Sequence, residues 1–273
     1  MRTFAALFLL AACSGTQGDL LRTVGGDAGS SDGPTEGPPV VPASSWQIQL
    51  TGTIDTTVDA QVYTVDVDVD LDKPGTIAAL HAQGRIVICY FSAGTREPFR
   101  TYDQGAFPAS AIGDPVNGFP TENWLDVRDA TVRSIMSARM GRAADAGCNG
   151  IHPSGVAGFQ TTTGFPLTRD DSVAFASSLA DAAHARGLSI GLVDGDVAFS
   201  QALVSKFDWT VVWSCIDTGC DLASPFLQGG KAGFLVEYGD ATRVPQVCPP
   251  ADSLGLSAII KHNSLDAFRV GCK

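Results

Sequence analysis

From Trp46 onward, short runs of β-branched, aromatic and aliphatic residues alternate with longer stretches whose apolar positions recur at helical spacing. The strand candidates are 46–50, 62–67, 85–91 and 123–127, followed by 149–153, 188–193, 208–213 and 231–237. Several are nearly continuous apolar runs, as strands covered on both faces require. Between them, Asp129 is placed to cap a helix that carries Val132, Ile135, Met136, Met140 and Ala143 on one face, with Gly147 to stop it. Thr168 and Asp171 have capping-box spacing ahead of Val173, Leu179 and Ala183, and Gly187 closes that helix. Asp196 can cap the helix after the sixth strand. Strand and helix alternating eight times predict an α/β fold with a parallel sheet. Eight repeats favour a closed (β/α)8 TIM barrel over a doubly wound open sheet. No GxGxxG follows the first strand, so no dinucleotide site is expected.

The first 45 residues carry none of this periodicity. Arg2 precedes an apolar run from Phe4 to Ala12, too short to cross a bilayer and shaped like a secretory signal. The run ends in Leu10-Ala11-Ala12-Cys13, which resembles the lipobox of bacterial lipoproteins, where the Cys thiol is acylated and becomes the new N-terminus. Residues 1–12 therefore read as a lipoprotein signal peptide, with Cys13 as the lipidation site. Residues 13–45 read as the lipidated Cys and a flexible linker, and 46–273 as the barrel domain. Half of residues 14–45 are Gly, Ser or Pro, a composition that cannot bury enough surface to offset its ordering entropy. As a coil, this tether would hold the domain roughly 30 Å from the membrane. Ser14, rather than an Asp, after Cys13 favours the outer membrane over the inner one in a bacterial cell envelope.

Composition adds constraints. Apolar residues make up 44% of the 273, enough for one sizeable core. A formal net charge of −11 leaves no basic stripe to neutralise phosphates, which excludes nucleic acid and suits a cationic ligand. Apart from Cys13, six cysteines remain, an even number in a chain read as exported, and disulfides are expected. The short spacing favours Cys215–Cys220, and Cys248–Cys272 would pin down the C-terminal tail. Cys89 and Cys148 fit either a pair or two buried thiols. No CxxC spacing occurs and the four histidines are scattered, so neither a metal nor another cofactor is expected.

In such a barrel the chemistry sits at the C-terminal ends of the strands. Those positions carry Asp66, Asp68, Tyr90, Ser92, Asp126, Arg128, His152, Ser154, Asp194, Trp213, Glu237 and Tyr238.

Across the barrel the sequence resembles glycoside hydrolase family 114, whose characterised activity is endo-α-1,4-polygalactosaminidase. The likeness rests on the opening WQIQLTG, VICYFSAG from Val87 to Gly94, and WLDVR from Trp124 to Arg128. It continues through GFPLT from Gly164 to Thr168, Phe207-Asp208, VEY from Val236 to Tyr238, and the closing Cys248 and Cys272. The resemblance implies a (β/α)8 barrel and a pair of carboxyl groups flanking the scissile bond, one as proton donor and the other as nucleophile or base. It also implies an acid-rich CDGxEPDN at the end of strand five. Here that segment reads Cys148-Asn149-Gly150-Ile151-His152-Pro153-Ser154-Gly155, with Asn149, His152, Ser154 and Gly155 in place of Asp, Glu, Asp and Asn. The family's NExC at strand seven reads Val212-Trp213-Ser214-Cys215, and its KND at strand six reads Val193-Asp194-Gly195.

Neither the Ser154 hydroxyl nor the Trp213 indole can deliver a proton to a glycosidic oxygen near neutral pH. General acid–base help contributes about 10²–10⁴-fold per group. The expected function is therefore a non-catalytic, pseudoenzyme barrel that binds a polysaccharide, with a cationic galactosamine polymer as partner. Asp66, Tyr90, Ser92, Asp126, Trp213, Glu237 and Tyr238 are its candidate binding residues. The alternative is an active endo-acting glycoside hydrolase with a rearranged acid pair, for which Asp126 and Glu237 are the candidates. In that case Asp194 or Asp196 could stand in for the lost strand-six Asp, and His152 could transfer protons.

Overall fold

The computed structural model describes residues 39–272. The expected signal peptide, Cys13 and most of the linker lie outside these residues. Ser44 and Ser45, at the end of the expected linker, already belong to the fold. Ser44 is buried, and the Ser45 carbonyl accepts hydrogen bonds from the Gln61 and Val62 amides, both at 3.0 Å.

The chain runs through β1 (Trp46–Gln49), β2 (Val62–Asp66), two short helices α1 (Val69–Asp72) and α2 (Thr76–His81), and β3 (Ile86–Ser92). A three-stranded antiparallel insertion follows, made of β4 (Thr95–Arg96), β5 (Ile112–Val116) and β6 (Phe119–Leu125). Next come α3 (Ala130–Asp145), β7 (Gly150–Ser154), α4 (Arg169–His184), β8 (Ser189–Leu192) and α5 (Val197–Leu203). The last third holds β9 (Trp209–Trp213), α6 (Ser224–Gln228), β10 (Ala232–Tyr238), α7 (Val244–Leu254), β11 (Ser257–Lys261) and β12 (Val270–Gly271).

Among the described residues, eight strands pair in parallel in the order β1-β2-β3-β7-β8-β9-β10-β11, and β12 runs antiparallel to β11. Side chains bridge the seam between β1 and β11. The Trp46 indole donates to the Ser257 carbonyl at 2.8 Å, and Lys261 Nζ donates to Gln47 Oε1 at 3.1 Å. The expected α/β barrel is present.

Two strand assignments change. The run 123–127 is not a barrel strand, because its residues pair antiparallel with β4 and β5 in the insertion. The strand missing from the expected set is β11. Strand numbers therefore shift: β7, β8 and β9, expected as strands five, six and seven, are the fourth, fifth and sixth of the barrel.

Period-two alternation along the strands builds two core layers. Trp46, Ile48, Ile88, Trp209, Val211, Phe234, Val236 and Ile259 pack together inside the barrel. Residues of the opposite parity pack outward beneath the helices, as with Val87, Ile151 and Ile190 under α3 and α4 and with Val212, Leu235 and Ile260 under α7. Gly191 is needed for the inner layer to close, since a Cβ there would lie 2.1 Å from the Trp209 ring. Asp129 caps α3 by accepting from the Thr131 and Val132 amides, and Thr168 and Asp171 form a reciprocal capping box on α4. The expected disulfides Cys215–Cys220 and Cys248–Cys272 are formed, and Cys89 pairs with Cys148.

Candidate functional site

Strand parity decides which strand-end residues reach the barrel mouth. His152, Ser154, Trp213 and Tyr238 share the parity of the inner layer, as do Asp66 and Tyr90 on their strands. Tyr90 and His152 are register partners on β3 and β7, with ring centroids 5.4 Å apart. The imidazole also meets Trp209 and Trp213 edge-on, and Trp213 stacks with Tyr238 at 6.2 Å. A continuous aromatic row thus runs from β3 through β7 and β9 to β10.

His152 is fully buried, and neither ring nitrogen has a hydrogen-bond partner. Burial pushes its pKa down to about 3, so the ring is neutral at physiological pH. Ser154 Oγ lies 2.9 Å from Tyr90 Oη. That hydroxyl is therefore tied to a phenol whose own ionisation burial and nearby Glu97 suppress, and not to a histidine base. A serine nucleophile activated by His152 is excluded by this geometry.

A cleft of about 360 Å³ opens beside this row. Tyr90, Ser92, Ser154 and Gly155 line it from β3 and β7, Asp194 from the loop after β8, and Phe119, Glu122 and Trp124 from β6. Backbone strapping shapes its rim. The Ala93 and Gly94 amides donate to the Ser154 carbonyl, and a Cβ on Gly94 would lie 1.8 Å from the Gly155 oxygen. Thr95 Oγ1 donates to Glu122 Oε2 at 3.0 Å, and Asp194 Oδ2 accepts from the Gly155 amide at 2.6 Å. Burial raises the pKa of both Glu122 and Asp194, opposed at Asp194 by backbone hydrogen bonds and at Glu122 by the Thr95 hydroxyl and the charges of Arg100 and Arg139.

Other acids expected at the site are committed elsewhere. The two oxygens of Asp66 accept from Arg100 at 3.0 and 2.8 Å, and the same buried guanidinium bonds Asp68 at 2.7 Å and Glu97. Asp126, displaced from the barrel with the insertion, forms a two-pronged pair with Arg128 at 2.8 Å, which holds its carboxyl below the usual range. Glu237 has the parity of the outward-facing Leu235. It accepts from the Ile216 amide and from Arg243, both at 3.0 Å, with only 1% of its surface exposed. Asp196 caps α5 at Phe199 and pairs with Arg169. None of Asp66, Asp126 and Glu237 lines the cleft, and Trp213 and Tyr238 lie outside its lining, beyond His152. Glu122, Phe119 and Trp124 were not among the expected site residues.

A model of glycoside-hydrolase family GH114 matches residues 29–273. The chain belongs to this family. Ega3 of Aspergillus fumigatus, solved in complex with galactosamine, superposes with a TM-score of 0.79 at 35% identity, over 85% of this chain and 96% of that one. The glycoside hydrolase domain of PelA from Pseudomonas aeruginosa shares the fold, with a TM-score of 0.64 at 14% identity over 84% of this chain and 98% of that domain. An uncharacterized protein of Deinococcus radiodurans is 29% identical over 208 residues, 66% of this chain. The matched region spans 64% of that relative, a little under two thirds of its length.

Proposed function

We propose that this GH114 protein is a lipid-anchored envelope protein that binds a galactosamine-type polysaccharide and does not cleave it with the acids its family likeness implies. One observation carries this reading. Ser154, hydrogen-bonded to Tyr90, and Trp213, stacked with Tyr238, stand at the two strand ends where the likeness places the catalytic carboxyls. The rearranged pair suggested by sequence is weakened, because Asp126 and Glu237 are held in ion pairs with Arg128 and Arg243. Support for the ligand class comes from the similarity to Ega3, solved with galactosamine. Tyr90, Phe119 and Trp124 in the cleft lining offer apolar ring surface of the kind that packs against sugar rings.

The test is calorimetric titration of the purified protein with galactosamine oligomers, run beside an assay for new reducing ends. Saturable binding, weakened by Trp124→Ala in the cleft lining and without release of reducing ends, is the expected result. Absence of any binding would refute the reading. The anchor has its own check. Cys13→Ser should move the protein from the membrane pellet to the soluble fraction, and recovery of that variant with membranes would rule the lipid anchor out.

A further inference from the structure

We infer that Glu97 and Arg139 are positioning residues for the cleft, gripping the N–H and C=O of Ser92 and so fixing the corner between β3 and β4. This role rests on the carbohydrate-binding reading above and concerns how the cleft is held together. The need for a clamp follows from the sheet. β2 stops at Asp66, whose register partner is Tyr90, while β3 runs on to Ser92. The Ala93 amide donates to Ser154 on β7, so by strand alternation the N–H and C=O of Ser92 point to the other side, where β2 has ended. Left there, both groups would be buried without partners, which is costly. An ion pair takes the place of the missing strand. The Ser92 amide donates to Glu97 Oε2 at 3.3 Å, and Arg139 Nη1 donates to the Ser92 carbonyl at 2.7 Å. The same Nη1 meets Glu97 Oε2 at 3.0 Å, which closes the clamp.

Arg139 lies fully buried on the core face of α3, which also carries Met136 and Met140. Its Nε donates to Asp103 Oδ2 at 2.7 Å, and its guanidinium lies about 6 Å from the rings of Phe91 and Phe107. Buried ion pairs add little net stability over an apolar core of the same volume, so stability alone does not account for an arginine among methionines. What it holds does. Ser92 lines the cleft, as do Tyr90 two residues before it and Thr95 three residues after it. The Ser92 hydroxyl lies 2.6 Å from Thr95 Oγ1, which donates to Glu122 on the opposite wall. Tyr90 in turn bonds Ser154 on β7. Movement of Ser92 would therefore shift several lining residues together, and a cleft that is already in place costs a ligand less to occupy.

Comparing Glu97→Gln with Glu97→Met separates the clamp from charge. Both remove one negative charge and leave Asp66, Asp68 and Asp103 facing Arg100, Arg139 and Arg142. Only glutamine keeps an oxygen to accept the Ser92 amide. Titrated with galactosamine oligomers, Glu97→Gln should bind within about threefold of the unmodified protein and Glu97→Met about tenfold more weakly. Val247→Ala opens a cavity beneath α7, outside the cleft lining, and should bind as the unmodified protein does despite its lower stability. Equal binding by Glu97→Gln and Glu97→Met, whether strong or weak, would overturn the assignment and leave the sugar-binding reading standing. No binding by the unmodified protein would overturn both. Hydrogen exchange decides the matter if Glu97→Met does not fold. In the unmodified protein the Ser92 amide should be protected about as well as that of Ile88, within the paired part of β3. Exchange of Ser92 as fast as in an exposed turn would overturn the clamp.

Discussion

Replacing His152 with leucine should remove a large part of the protein's sensitivity to acid. In the fold its ring is fully buried with no hydrogen-bond partner, and its pKa is pushed down to about 3. In an unfolded chain the same ring takes up a proton below about pH 6.5. Between those limits the unfolded state binds the extra proton, so stability falls as pH falls, at about 1.4 kcal/mol per pH unit. The contribution is complete above about pH 6.5 and has been lost once pH reaches about 3. Near pH 5, the unmodified protein should have lost roughly 2 kcal/mol relative to its stability near pH 7 that His152→Leu does not lose. Acids whose pKa values are lowered, such as Asp126 and Asp266, also contribute to acid unfolding, but they are common to both proteins and cancel in the difference. Urea unfolding of the two proteins near pH 7 and near pH 5 measures it. A gap between them that does not change with pH would show that His152 has a charged or hydrogen-bonding partner.

The barrel was legible in the sequence because its signals are local. Continuous apolar runs mark strands covered on both faces, and Asp129 and the Thr168–Asp171 pair mark helix starts within a few residues of the elements they cap. The strand count failed where the local signal was ambiguous. Residues 123–127 carry the strand-forming Trp124, Leu125 and Val127, yet Asn117-Gly118 just upstream is a hairpin turn signal, with Gly118 at φ 82°. Weighing that turn would have removed 123–127 from the barrel and drawn attention to Glu122 on the same strand. Strand β11 was hidden behind α7, whose Pro249-Pro250 pair makes a poor helix signal.

The site was less legible for a different reason. Proximity to a strand end says which residues reach the mouth, but not which carboxylates are already neutralised by an arginine from elsewhere in the chain. Arg100 meets Asp66 across 34 residues, and nothing in the spacing announces it. Parity could have excluded Glu237, since it alternates with Tyr238, and one of the two must face outward.

The second large effect is catalytic. The unmodified protein should release no reducing ends from a galactosamine polymer above background, and a combined Ser154→Asp and Trp213→Glu change should restore measurable hydrolysis. Each missing proton-transfer group accounts for about 10²–10⁴-fold, so both together place turnover beyond ordinary detection. The two positions favour restoration because both side chains belong to the inner parity at the ends of β7 and β9, where the family likeness places the acids. Trp213→Glu also changes the environment of His152, whose ring now meets the indole edge-on at 5.9 Å. A carboxylate there gives the imidazole a charged neighbour and should raise its pKa from about 3, which NMR titration of His152 reads independently of activity. A double variant that binds the polymer and shows the raised histidine pKa, yet releases no reducing ends, would show that more than these two acids is missing. Hydrolysis by the unmodified protein, abolished by Asp126→Asn or Glu237→Gln, would refute the non-catalytic reading outright. It would also require the Arg128 or Arg243 ion pair to open during turnover, since those carboxylates are otherwise unavailable to a substrate.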